Sequence, residues 1–306
     1  MGLYILKRIV QLVPVLIGIT ILTFAMTHLV PGDPVAIMLG TQASGDDVER
    51  IRQQLGLDKP LHIQYFDFLW NALQGDLGTS IRSRQPVLSE IWLYLPSTLK
   101  LTTAAVVLAT LVGVSVGIMA ATATHKVVDF LSMGLVLVGI STPTFFSSLV
   151  LILIFSLRLD WLPVASGSGI KPLILPAVVL AAPAAAVLAR ITRSALLEEL
   201  RKDYVRTAYA KGLHARTVMT AHVLKNALIP VITIIGLQFG GLMAGAVIVE
   251  SVFARPGLGR FAVTSINARD LPQIQGIVLV AALIYVGVNL LVDVLYGFID
   301  PRIKYR

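Results

Sequence analysis

The sequence predicts an all-α integral membrane protein with six transmembrane helices and a small helical external subdomain after the first of them. Of the 306 residues, 56% are hydrophobic and 14% are charged, whereas a soluble domain has about 45–50% and about 25%. Six stretches of 18 to 28 residues contain no charged side chain, and about 20 apolar residues suffice to cross a bilayer as a helix. The surplus of apolar residues is therefore expected to face lipid.

The charge-free stretches place the six spans. The first follows Lys7 and Arg8 and runs into residues 31–34 (PGDP) without a small-residue cleavage pattern, so we interpret it as a retained span and not as a signal peptide. The predicted spans cover residues 9–30, 100–122, 131–157, 172–190, 229–250 and 271–297. Residues 97–298 thus form the main transmembrane domain, between the termini 1–8 and 299–306.

The distribution of basic residues predicts the orientation. Segments 1–8, 122–130, 190–229 and 299–306 carry 14 Lys or Arg in total, whereas the longer opposite segments carry 10. Residues 31–96 have a net charge of −3. By the positive-inside rule, both termini and the loop 191–228 face the cytoplasm, and residues 31–96 and 251–270 lie outside.

The external subdomain is predicted to contain two helices. Val48, Ile51 and Leu55 share one face of the first, which ends at Gly56. The second begins at Pro60 and ends at Gly75. Its apolar face carries Ile63, Phe66, Trp70 and Leu73. This subdomain is either a cap packed on the outer ends of the helices or a docking surface for another protein.

No motif in the sequence indicates an enzyme. Gly-Lys does not occur, which excludes a phosphate-binding loop of the usual kind. The five histidines include no pair at the four-residue spacing of a helical zinc site. The six charge-free stretches contain no carboxylate, whereas an intramembrane aspartyl protease needs two. We therefore predict no catalytic residue, no bound cofactor and no metal.

Proline and glycine mark features of the spans. Pro14, Pro143, Pro176 and Pro183 fall inside predicted spans and indicate kinked helices. Glycines recur at four-residue spacing at Gly113 and Gly117 and at positions 236, 240, 241 and 245. This pattern indicates close helix packing, with a role in a substrate path or gate as the alternative.

The inner loop carries the most specific signal. A short helix is predicted around residues 205–211, ending at Gly212. Residues 203–213 (DYVRTAYAKGL) and 222–230 (HVLKNALIP) resemble the cytoplasmic signature loop of ATP-binding cassette (ABC) importer permeases, in the variant of the dipeptide and oligopeptide branch. Arg206-Thr207-Ala208 stands where other branches have Glu-Ala-Ala, a departure typical of the peptide branch. Segments 29–35, 249–260 and 293–303 resemble the same family.

The resemblance implies a type I ABC importer permease of a bacterial inner membrane. Such a chain pairs with a second related permease subunit, two cytoplasmic ATPases and an external solute-binding protein, and its solute is a dipeptide, a longer peptide, glutathione or a metal chelate. ATP hydrolysis would belong to the partners. The alternatives are a self-sufficient channel or secondary transporter, which would carry intramembrane charges or an inverted repeat, and a membrane scaffold without a transport role.

The resemblance also assigns candidate residues. The predicted ATPase-coupling residues are Arg206, Thr207, Ala208, Lys211 and Gly212, with Ala208 and Gly212 small for close docking and Arg206 and Lys211 supplying charge. The alternative is a basic loop that only sets orientation. Asn289 and Asp293 lie four residues apart on one helical face near the inner end of the last span. We expect Asp293 to turn inward and pair with a basic group, with direct substrate contact as the alternative.

Overall fold

The computed structural model describes residues 2–29, 52, 58–123, 126–164 and 169–299, and these are mostly helical. No β-strand occurs in them beyond an isolated bridge between Thr79 and Pro86. The α-helices are α1 Gly2–Leu29, α2 Leu61–Leu73, α3 Val87–Thr122, α4 Lys126–Ser141, α5 Thr144–Leu151, α6 Lys171–Glu199, α7 Asp203–Ala210, α8 Ala215–Thr217, α9 Leu224–Val252, α10 Leu258–Asn267 and α11 Leu271–Ile299. Two π-helical segments, Ile152–Arg158 and Val218–Val223, continue α5 and α8.

Several helices are long and apolar enough to cross a membrane. In the described part of the chain, four meet this criterion by length and composition: Val87–Thr122, Lys171–Glu199, Ala215–Val252 and Leu271–Val292. Two shorter apolar helical stretches, Val10–Met26 and Thr144–Arg158, lie within the predicted first and third spans. These helices make the protein an all-α membrane protein.

The predicted third span is not one helix. It is interrupted after Ser141, and a new helix begins at Thr144 with Pro143 at its N-cap. Pro143 has no backbone N–H and adopts φ −59° and ψ 135°, outside the helical region, so the first helix cannot continue through it. Pro14, Pro176 and Pro183 do lie inside helices, as do Pro96 and Pro230.

The described residues fall into two compact units. The first comprises the described residues of 98–255 together with 288–299. Its core is built around α6, whose alanines and leucines are buried together with residues of α3 and α9. Ala181, Ala184 and Ala185 leave room for close helix approach, which is how helices associate where lipid supplies no hydrophobic driving force.

The second unit comprises residues 2–29, 52, 58–97 and 256–287. It contains α1, α2 and α10, with an aromatic stack of Tyr94 on Phe261 at 4.6 Å between ring centroids. The predicted helix from Pro60 to Gly75 is observed as α2, with Pro60 at its N-cap and a positive φ of 83° at Gly75. The predicted helix with Val48, Ile51 and Leu55 lies outside the described residues, as do residues 300–306.

Candidate functional site

The loop between α6 and α9 folds as a small packed structure. Its core contains Leu196, Val205, Val218, Val223 and Ala227, all almost completely buried. Residues of α3, among them Ile118 and Ala121, pack against this core. The core therefore packs α7 against both α6 and α9.

α7 ends in a Schellman motif. Gly212 has φ 79°, its N–H donates to the Tyr209 carbonyl at 2.9 Å, and the Leu213 N–H donates to the Ala208 carbonyl at 3.3 Å. These two bonds satisfy carbonyls at the helix end, and the left-handed conformation they need is one that glycine adopts without steric cost. The helix stop that the sequence predicts at Gly212 is therefore present.

The predicted coupling residues divide into two groups. Arg206, Thr207, Lys211 and Gly212 are exposed. Ala208 is only 8% exposed and belongs to the buried core. Its small side chain therefore serves packing inside this chain, which differs from the expected role in close docking.

Sequence reasoning missed two apolar side chains at this surface. Tyr209 is 48% exposed and Leu213 is 38% exposed. Both flank the charged residues Arg206 and Lys211, so the outer face of α7 combines aromatic, aliphatic and basic groups. An aromatic residue between two basic residues in the last turn of a short amphipathic helix is the signal that would have identified it.

Polar contacts fix the base of α7. The Tyr204 hydroxyl donates to Glu199 Oε2 at 2.7 Å and accepts from Asn226 Nδ2 at 3.3 Å, so it links the end of α6 to the start of α9. Burial, with a smaller contribution from Glu199, raises the pKa of Tyr204, so the hydroxyl stays protonated and able to donate. Lys202 also hydrogen-bonds Glu199, which raises the pKa of that lysine.

We expect Tyr204→Phe to lower stability without blocking assembly. The change removes one hydrogen bond to a charged group and one to an amide, a loss of about 1–3 kcal/mol. The thermal midpoint of the purified chain should fall by a few degrees. Tyr209→Phe, which removes an exposed hydroxyl on the same helix, is the matched control. Equal midpoints for the two variants would contradict the role assigned to Tyr204.

Glycines of two membrane helices lie at tight contacts. A Cβ built on Gly117 would be 2.6 Å from Thr192 Cβ, and one on Gly113 would be 2.6 Å from the Ala185 carbonyl oxygen. A Cβ on Gly236 would be 2.2 Å from Val292 Cγ1. At these three glycines the helices pack too closely to admit a larger side chain. This agrees with the interpretation of the glycine pattern as close helix packing. Gly241 differs, because no atom of the described residues lies within 4 Å of a Cβ built on it.

The predicted polar pair near the inner end of the last span is only partly described. Asn289 is half-buried on α11. The Asp293 side chain lies outside the described ones, so its inward pairing stays a prediction. A different carboxylate is buried at the other end of the membrane helices: Glu250, in the last turn of α9, is completely buried and accepts a hydrogen bond from the Thr98 hydroxyl at 2.6 Å.

A second buried carboxylate organises the loop before α3. Asp270 accepts hydrogen bonds from the Ser80 hydroxyl at 2.6 Å and the Arg82 N–H at 3.1 Å. It also accepts from the Gln273 N–H at 3.3 Å in the first turn of α11. Gln273 extends the network by donating to Glu90 at 2.7 Å. Asp270 thus holds residues 80–85 in one conformation, a role that the local sequence does not indicate.

The sequence matches two known protein families. Residues 113–305 match the family described as binding-protein-dependent transport system inner membrane component. Residues 1–102 match the N-terminal family of membrane components of the same transport systems.

Curated relatives match over nearly the full chain. The chain is 43% identical to the dipeptide transport system permease protein of Alkalihalophilus pseudofirmus and 45% identical to the glutathione transport system permease protein of Salmonella typhimurium. In both cases 99% of each chain is covered.

Solved structures share the fold at low sequence identity. An amino acid ABC transporter crystallised with histidines matches with a TM-score of 0.52 at 22% identity, covering 70% of this chain and 94% of that chain. The MetNI methionine ABC transporter in an inward-facing conformation matches with a TM-score of 0.57 at 14% identity, covering 70% and 96%.

Proposed function

Because this chain belongs to the family of binding-protein-dependent transport system inner membrane components, we propose that it carries small peptides across the cytoplasmic membrane. It is the permease subunit of an ABC importer. The proposed substrate rests on one observation: the chain is similar over its full length, and to nearly the same degree, to a dipeptide permease and to a glutathione permease. Glutathione is a tripeptide, so a short peptide is the chemistry that the two relatives share.

ATP hydrolysis is assigned to partner subunits. The loop between α6 and α9 folds into α7 and a small apolar core, and the whole sequence lacks a Gly-Lys phosphate-binding motif. The exposed face of α7, with Arg206, Tyr209 and Lys211, is the proposed ATPase contact. Closure of two ATPases would move this face and, through the core of Leu196 and Val223, the helices α6 and α9.

The remaining partners follow from the same family. A second, related permease subunit would complete the path as a heterodimer, and an external solute-binding protein would deliver the peptide. The basic residues support an orientation with both termini and α7 in the cytoplasm. Residues 31–96 would then face outward.

The proposed orientation predicts opposite labelling of two cysteines. The chain has no native cysteine, and Leu61 and Leu213 are both exposed. In intact cells, a membrane-impermeant thiol reagent should label Leu61→Cys and leave Leu213→Cys unlabelled until the membrane is opened. If the reagent labelled only Leu213→Cys in intact cells, the orientation would be the opposite of the one proposed.

The proposed substrate is tested by ATPase stimulation. The chain is purified with its partner subunit and ATPases, and ATP hydrolysis is measured with candidate solute-binding proteins loaded with a dipeptide, glutathione or a metal chelate. We expect a peptide-loaded protein to stimulate hydrolysis. If only the binding protein loaded with a metal chelate stimulated ATP hydrolysis, the proposed peptide substrate would be wrong. The membership of the chain in its family would not be affected.

A further inference from the structure

One side of α2 exposes large apolar side chains. Phe66, Trp70 and Leu73 are 65%, 65% and 75% exposed, and no residue of α2 is buried. Together with Ile63 they lie within roughly 80° of the helix circumference at 3.6 residues per turn. We call Ile63, Phe66, Trp70 and Leu73 the α2 stripe. The cap expected from the sequence would bury this face, and within the described residues it is not buried.

Another side of α2 packs on α1. The hydroxyls of Tyr65 and Thr20 lie 2.9 Å apart, and Thr20 is buried. The Tyr65 ring meets the Phe24 ring edge-on, with 5.5 Å between their centroids. The centroid of the Phe68 ring lies 6.1 Å from that of Phe24. These three contacts fix α2 against one short stretch of α1.

That stretch lies inside the apolar part of α1. Thr20 precedes the helix end at Leu29 by nine residues, about 13 Å along the axis. The same stretch exposes Ile17, Ile21 and Leu22, as expected of a surface that faces lipid. α2 therefore sits beside the C-terminal half of the apolar stretch Val10–Met26 of α1, the half nearer the predicted outer membrane surface. Its 13 residues extend about 20 Å, too short to cross a hydrocarbon core of about 30 Å.

The third side of α2 is polar. Asp67 forms an ion pair with Lys59 at 2.7 Å, and both side chains are about half exposed. Asn71 lies one turn further along and is exposed. The helix thus has one face against α1, one apolar aromatic face and one charged face, which is the pattern of a helix lying in the plane of a membrane interface.

We infer that α2 lies in the bilayer surface, with the α2 stripe inserted among lipids and Asp67 and Asn71 facing water. The occupant of the stripe is lipid because the stripe adjoins the lipid-facing part of α1 and carries Trp, Phe and Leu, the side chains typical of the apolar face of an interfacial helix. This inference goes beyond the proposed function and does not depend on the solute.

Tryptophan quenching by brominated lipids tests this placement. Trp92 and Trp161, the other two tryptophans of this chain, are replaced by Phe. The complete importer, with its partner subunits also made free of tryptophan, is reconstituted in vesicles of phosphatidylcholine brominated near the headgroup or near the acyl-chain end. The matched control carries Trp70→Phe and Asn71→Trp in the same background, which moves the indole by one residue to the polar face. Binding to a solute-binding protein is measured in parallel.

We expect Trp70 fluorescence to fall about twofold with the shallow bromine label and less with the deep one. The Asn71→Trp control should be quenched little by either lipid and strongly by aqueous acrylamide. Absence of lipid quenching at Trp70 would show that another protein covers the stripe and would overturn the inference. Equal quenching at the two positions, or Trp70 quenching that the solute-binding protein abolishes, would also overturn it.

Discussion

Gly212→Trp should reduce ATP-driven peptide uptake at least about tenfold while the protein still inserts into the membrane. Gly212 is exposed beside Arg206 and Lys211, and nothing in the described chain lies within 4 Å of a Cβ built there. A Trp side chain thus meets no neighbour within this chain, but it would project from the surface proposed to contact an ATPase. The positive φ of 79° adds a local cost of about 1–2 kcal/mol.

The matched control is Gly212→Asn, because Asn tolerates the left-handed conformation and is small. We expect this variant to keep most of the uptake. Uptake, ATPase binding and the amount of protein in the membrane are measured for both variants. Normal uptake and normal ATPase binding by Gly212→Trp would place the contact elsewhere on the chain.

Gly117→Leu should strongly reduce the amount of folded protein. Its Cβ alone would lie 2.6 Å from Thr192 Cβ and 2.7 Å from the Ala189 carbonyl oxygen, so α3 and α6 would have to separate. Overpacking of this kind costs about 1–3 kcal/mol for small insertions, and a leucine inserts more. The milder Gly117→Ala should still lower the thermal midpoint of the purified chain.

Gly241→Ala is the control for that comparison. Gly241 also lies inside a long membrane helix, but within the part of the chain that the structure describes no atom comes within 4 Å of a Cβ built there. Replacing a helical glycine by alanine there should be neutral or stabilising by about 0.5–1 kcal/mol. If Gly117→Ala and Gly241→Ala had equal thermal midpoints, the close contact described between α3 and α6 would be contradicted.

The sequence predicts well those features that depend on neighbouring residues. α7 and its end at Gly212 follow from local helix signals, and α2 follows from Pro60 and Gly75. Pro143 shows the limit of this reasoning, because a proline in an apolar run is compatible with a kink and with a complete break. The structure has the break, between α4 and α5.

Contacts between distant parts of the chain were not predictable from one sequence. Asp270 meets Ser80 across 190 positions, and Glu250 meets Thr98 across 152. Ala208 likewise looks like a small docking residue in the loop sequence and is in fact covered by this chain's own helices. Local pattern identifies which residues are unusual, but burial and partners depend on how the helices pack.

The most direct test of the proposed transport cycle is peptide uptake into vesicles of defined content. The chain is reconstituted with its partner permease and ATPases, ATP is enclosed in the lumen, and the solute-binding protein with labelled dipeptide is added outside. We predict uptake that requires luminal ATP and the binding protein and that ionophores do not abolish. Uptake by this chain without the ATPases, driven by an ion gradient, would contradict the account.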